Sequence, residues 1–197
     1  MNIPILHIYY PRNTIKRTLK PADIRSRIIA QLIDGVVLGV IISGLLLLFS
    51  KGRLYSLWIS PIIPIYIVQT SYTYIPLVSD WWWGGYYIKI SLPFIADFLL
   101  AYPSPLQWLV YIAYYTLFHY FWGQTPGKMM KGLVVLTIDQ HPLTFNQSLK
   151  RWFMYLISLI PFGIGFFLTS HREQFKSWHD RLTRTRVFSF DTFDSVV

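Results

Sequence analysis

Two ionisable residues interrupt the most apolar stretch of the chain, Arg27 to Phe49. Arg27 stands at its entrance and Asp34 seven residues further in. On a helix that spacing is two turns, so the two share a face and Asp34 lies about 10 Å deeper. A carboxylate facing lipid at this depth is costly, so Asp34 is expected to meet protein, water or a partner charge. It could hold a proton or a cation there, or serve as a structural polar contact. Near the other end, Trp178-His179-Asp180-Arg181 sets a second carboxylate beside an imidazole. Arg27 and Asp180 could pair through a planar two-bond contact and close the domain like a clasp. The bland alternative has Arg27 snorkelling to lipid phosphate and Asp180 solvated in the tail. His171, His179 and Asp180 make only a weak metal-ligand set. No nucleophile, base and orienting group fall together, so neither enzyme chemistry nor a cofactor is expected.

The elements that must position these residues are mostly helical. Arg27 to Phe49 is long enough to cross a hydrocarbon core of about 30 Å. Its Gly35, Gly39, Ser43 and Gly44 leave a low surface for close approach of another helix. Leu106 to Trp122 reads as a second span, with Tyr111, Tyr115, Phe118 and Trp122 on one packing stripe and His119 as a hydrogen-bonded interfacial residue. Between them, Ser50 to Pro105 is aromatic and broken by Pro61, Pro64 and Pro76, which suggests an irregular or interfacial region with one or two short helices. Trp81 to Tyr87 reads there as a membrane-surface anchor in preference to a ligand-stacking platform. Asp97 is expected to border a short helix near the headgroups. Leu133 to Ile138, the break Asp139-Gln140-His141-Pro142, and Leu143 to Phe145 suggest a small hairpin outside the membrane. Thr144 and Gln147 have capping-box spacing for a helix that turns apolar from Trp152 to Leu168 and carries Pro161-Phe162-Gly163 in its middle. Thr185 to Phe190 is strand-like. The expected fold is therefore an all-α membrane protein: two full transmembrane helices, a C-terminal re-entrant or hairpin helical segment, and a small extramembrane β-hairpin.

Composition agrees with that class. The 197 residues are 53% hydrophobic and 14% charged, with mean hydropathy +0.39, a balance that fits a polytopic membrane protein. There is no Cys, which rules out disulfides and Cys-based metal sites. A net charge of +9 invites a nucleic-acid reading. In so apolar a chain, with no groove-reading motif, it points instead to a cytoplasmic face and its anionic lipids. Met1 to Tyr10 lacks the basic region and cleavage site of a signal peptide.

Gly123-Gln124-Thr125-Pro126-Gly127-Lys128 follows the second apolar stretch. It is not a phosphate loop: only three residues separate its glycines and Met129 follows the lysine. Pro126-Gly127 reads as a turn, with Lys128 and Lys131 at lipid headgroups. Together, Arg27-x2-Ala30-x2-Ile33-Asp34, then Gly123-Gln124-Thr125-x-Gly127-Lys128, then Trp178-His179-Asp180 resemble the RDD family of membrane proteins. The resemblance covers about residues 22 to 188, between a basic N-terminal segment (1–21) and a short tail (189–197). The insert 50–105 is longer than the family pattern. By that resemblance Arg27, Asp34 and Asp180 are the arginine and two aspartates of the family's name. Gly123, Gln124, Thr125, Gly127, Lys128 and His179 are their supporting motif residues. The resemblance implies an integral membrane domain, with transport of unidentified ligands suggested for the family and Na+/H+ exchange for some members.

Charge placement sets the expected topology. Lys plus Arg number six before the first span, three in the insert, four from Lys128 to Arg151 and five from Arg172 to Arg186. A chain that turns back at Pro161-Phe162-Gly163 keeps all but the insert's three on one side, which the positive-inside rule makes cytoplasmic. Both termini are then cytoplasmic in a plasma (inner) membrane. Two function classes follow: a non-catalytic scaffold or accessory subunit with a membrane-protein partner, or a proton- or cation-coupled transporter acting as a homo-oligomer.

Overall fold

The structure is a computed structural model that describes residues 19–70, 80–90, 98–159 and 178–190. In chain order its elements are β1 (Leu19–Pro21), α1 (Ile24–Phe49), β2 (Leu54–Ile59), β3 (Tyr66–Thr70), α2 (Trp81–Gly84), β4 (Tyr87–Ile90), β5 (Phe98–Ala101), α3 (Pro105–Trp122), α4 (Pro126–Met130), β6 (Leu133–Thr137), α5 (Phe145–Leu159), α6 (Trp178–Leu182) and β7 (Thr185–Phe190). The chain forms two compact units, Met1–Gln31 with Ala113–Val197, and Leu32–Ile112. The all-α expectation is corrected: helices predominate, but the described residues also form two antiparallel sheets. Among them α1 alone is long and apolar enough to cross a membrane.

In the first unit the sheet order is β1-β7-β6. The expected hairpin is replaced by long-range pairing. Leu133 to Thr137 is a strand, yet its partner is the tail strand, from Leu133 opposite Ser189 to Thr137 opposite Thr185. Phe145 begins α5 instead of a returning strand. The reason is the capping box: the Gln147 amide donates to Thr144 Oγ1 (3.3 Å) and the Thr144 amide to Gln147 Oε1 (2.9 Å), which commits the chain to a helix. One side of the sheet buries Leu133, Val135 and Val187 with Ala22, Ala30 and Leu143. The other buries Val134, Leu136 and Phe188 beside Leu19. At the start of α1, Asp23 caps the first turn by accepting from the Ser26 amide at 3.2 Å.

The second unit holds a four-stranded sheet, β2-β3-β5-β4. It overturns the irregular-helical reading of residues 50–105. Local β-branched and aromatic content (Tyr55, Trp58, Ile59, Tyr66, Ile67, Val68) outweighs the prolines, which fall at 61 and 64, in the connection between β2 and β3. Among the described residues, Gly35 and Ser43 on the low surface of α1 meet this hairpin. The Ser56 amide donates to Ser43 Oγ at 3.3 Å, and a Cβ added to Gly35 would sit 3.0 Å from Pro61 Cβ. Phe98–Ala101, directly after Asp97, is a strand and not the short helix that Asp97 was expected to border. Asp97 and the Pro161-Phe162-Gly163 break lie outside the described residues, so the turn expected there has no structural account.

Candidate functional site

The first unit gathers its charges around one carboxylate. Asp180 sits in α6 and is fully buried. Arg27 Nη1 meets Asp180 Oδ2 at 2.9 Å, and Arg151 Nη2 meets Oδ1 at 2.6 Å, so each oxygen has its own guanidinium. Arg27 thus engages one oxygen and not both, and its other terminal nitrogen donates to the Val187 carbonyl at 3.2 Å. Arg151, fully buried on α5, also donates from Nε to Tyr155 Oη at 3.1 Å and from Nη1 to Thr185 Oγ1. Thr183 donates to the His179 carbonyl at 2.6 Å and shares a hydrogen with Thr185 at 2.7 Å. Four elements meet in this network: the start of α1, the middle of α5, α6 and β7. A buried charge is tolerable only when paired and hydrogen-bonded, and here Asp180 and Arg151 have that company.

His179 closes the cluster, with Nε2 3.7 Å from Asp180 Oδ1 and its ring edge-on to Tyr155 at 4.5 Å. Burial pushes its imidazole down to about 3, although Asp180 pulls the other way. It is therefore neutral at physiological pH, and the pair with Asp180 is a polar contact and not an ion pair. His119 departs from its expected interfacial place. It is fully buried between Tyr115 (6.2 Å) and Tyr155 (6.5 Å), and neither ring nitrogen makes a well-formed hydrogen bond.

The Gly123 to Lys128 motif has a structural explanation. Gly123 ends α3 at φ +66°, and its carbonyl accepts from the Val135 amide at 2.7 Å. An added Cβ would lie 3.2 Å from Val135 O and 3.3 Å from Val134 Cγ2, so both conformation and space call for glycine. Thr125 is extended and precedes Pro126 at the first turn of α4. Pro126-Gly127 therefore opens a short helix and not a simple turn. Lys128 is corrected too: it is buried, donating to Thr125 Oγ1 at 3.2 Å, while Lys131 is exposed. Gln124 and Gly127 are also buried.

A family-wide comparison fits this arrangement. The RDD family model matches residues 21–184, most of the chain. This chain belongs to the RDD family. An uncharacterized protein of Bacillus subtilis (strain 168), YxaI, is 36% identical over 63 residues, 32% of this chain and 41% of that relative. The alignment thus spans less than half of the relative's length. No solved structure matches. The family assignment and the apolar α1 make this a membrane protein.

Of the residues marked for this RDD chain by sequence, Arg27, His179 and Asp180 come together, and Gly123 to Lys128 buttress the same unit. Asp34 belongs to the second unit, where it is fully buried. His171 lies outside the described residues, among which no group of three potential metal ligands forms. Sequence reasoning missed Arg151, which read as the basic start of a helix. Its signal was phase: Ser148, Arg151, Trp152 and Tyr155 fall at i, i+3, i+4 and i+7, one face of α5 that is buried throughout.

Proposed function

We infer that this RDD protein is a non-catalytic accessory subunit of a membrane complex, and that the Arg27–Asp180–Arg151 cluster is a structural latch. The observation carrying this reading is the engagement of Asp180 from both sides. Each oxygen faces a guanidinium group, the carboxylate is fully buried, and Thr185 holds Arg151 in turn. A carboxylate so engaged is poorly placed to exchange a proton or a cation, but well placed to fix four elements in one arrangement.

Pairing of the first sheet supports a topology. A sheet lies on one side of a bilayer, so the chain leaves β1, returns for β6 and returns again for β7 on that side. One crossing by α1 then requires a second before β6, for which the 18-residue α3 is the candidate. The segment from β6 to β7 crosses an even number of times, in keeping with a re-entrant or surface-lying course. By the charge counts this side is the cytoplasmic one.

A second reading, cation- or proton-coupled transport, draws on one observation: Asp34 is fully buried within the apolar α1. The deciding experiment reconstitutes the wild type and Asp34→Asn in vesicles holding a pH-sensitive dye and imposes Na+ or K+ gradients. The accessory reading expects no gradient-driven proton movement in either. Movement in the wild type that the folded variant loses would establish transport instead.

A further inference from the structure

Helix α5 is inside out for a protein in water. A surface helix of a soluble fold turns its apolar stripe to the core and its charges outward. The buried face of α5 instead carries Ser148, Arg151, Trp152 and Tyr155. Its opposite face carries Asn146, Lys150, Phe153 and Ile157, spaced i, i+4, i+7 and i+11 and all exposed, the last two by 46% and 39%. This outer row is polar up to Lys150 and apolar beyond Arg151.

The latch sets the level at which that change occurs. Arg151 and Arg27 hold the two oxygens of one carboxylate, so the middle of α5 stands level with the first turn of α1. There α1 makes the same change. Asp23 and Arg25 are exposed before Arg27, whereas Ile28 and Ile29, 40% and 41% exposed, follow it. A second set of contacts carries the match one turn further. Gln31, about 6 Å beyond Arg27 along α1, donates to Tyr115 Oη at 2.7 Å. The ring of Tyr155, one turn beyond Arg151, meets Tyr115 edge-on at 5.7 Å. Near that level α3 also exposes Leu117. At the start of α5, Phe145 meets Tyr120 edge-on at 5.8 Å, aromatic residues of the kind that suit a bilayer boundary.

We propose that α5 enters the bilayer beyond Arg151, with Phe153 and Ile157 against acyl chains and Lys150 at the headgroups, on the side of the membrane that holds the first sheet. The occupant is the bilayer that α1 enters. Within one compact unit, the apolar surface of α5 begins at the level where Ile28 and Ile29 begin that of α1. Charge fits as well, since an exposed lysine just short of an apolar surface suits anionic headgroups. The backbone poses no obstacle. A helix satisfies its own N–H and C=O groups, and the Thr144–Gln147 cap stays on the water side. The proposal rests on the membrane assignment and holds for an accessory subunit and a transporter alike. Of the two courses open to the segment from β6 to β7, it selects the re-entrant one.

The absence of cysteine makes the test direct. Full-length protein carrying Phe153→Cys, Ile157→Cys or Asn146→Cys is labelled with bimane in vesicles of phosphatidylcholine and phosphatidylglycerol. All three positions are exposed, so the latch stays intact. Ile29→Cys, at the matching level of α1, is the lipid reference. Lipids brominated near the top of the acyl chain should quench Phe153→Cys and Ile157→Cys at least half as strongly as Ile29→Cys. Aqueous iodide, present on both sides, should quench Asn146→Cys and spare those two. With Ile29→Cys quenched by lipid, iodide quenching at Phe153→Cys and Ile157→Cys would overturn the proposal in favour of a surface in water. Quenching there by neither agent, or oxidation to a disulfide dimer in dilute vesicles, would overturn it in favour of a protein-covered face. Loss of lipid quenching at Ile29→Cys too would remove the membrane seat of α1, and the proposal with it.

Discussion

Asp180 shows how one residue's cost becomes a device. A lone buried carboxylate would be expelled or protonated, so its presence requires partners, and two arginines from distant parts of the chain supply them. Removing Asp180 strands both guanidinium groups, at about 3–5 kcal/mol for a buried pair, whereas removing Arg27 leaves Asp180 with Arg151 and should cost less. Arg27→Lys should rescue poorly: a compact ammonium lacks the forked nitrogens that serve both Asp180 and the Val187 carbonyl. Its melting midpoint in detergent should stay closer to Arg27→Gln than to wild type. His179 adds a pH dependence. Its folded value near 3 lies below the unfolded 6.5, so its neutral form contributes stability that is present above 6.5 and lost as pH falls toward 3. Melting midpoints from pH 7 to 4 should fall more steeply in wild type than in His179→Gln. Equal slopes would mean that His179 titrates as a solvated residue.

The elements show where sequence was legible and where it was not. The α1 and α3 helices follow from apolar length, and the start of α5 from the Thr144–Gln147 spacing, all local signals. Thr144→Ala should cost about 1 kcal/mol by removing that cap. Strand pairing is not local: Leu133 to Thr137 reads as a strand, but nothing adjacent says that its partner lies some fifty residues away in the tail. The prolines at 61 and 64 suggested broken helix, whereas they sit between two strands. The candidate site divides the same way. Arg27, His179 and Asp180 were legible as motif residues, and Arg151 was hidden because a lysine and an arginine together resemble a solvated helix start. Gly123 is the clearest element-level test. Gly123→Ala must hold φ near +66° and push a methyl onto Val135 O, so it should cost about 1–3 kcal/mol. An unchanged melt would show that the α3–β6 turn relaxes freely.

At the scale of the whole molecule, one sheet commits three distant segments to a single side of the membrane. Lys20, Asp139 and Arg181 are exposed near β1, β6 and β7. Single cysteines there should share one response to an impermeant thiol reagent in intact cells, protected if that side is cytoplasmic. A response at Arg181 that differed from the other two would break the sheet's topology. The latch then acts on the same set of segments, tying the start of α1 to the tail through Asp180 and to α5 through Arg151. The most direct measurement of its role is a double-mutant cycle in detergent melts of wild type, Arg27→Gln, Asp180→Asn and the pair. The account expects each single change to lower the melting midpoint and the double change to cost clearly less than their sum, because each single change removes the same Arg27–Asp180 contact. Strict additivity, with Asp180→Asn as stable as wild type, would contradict it.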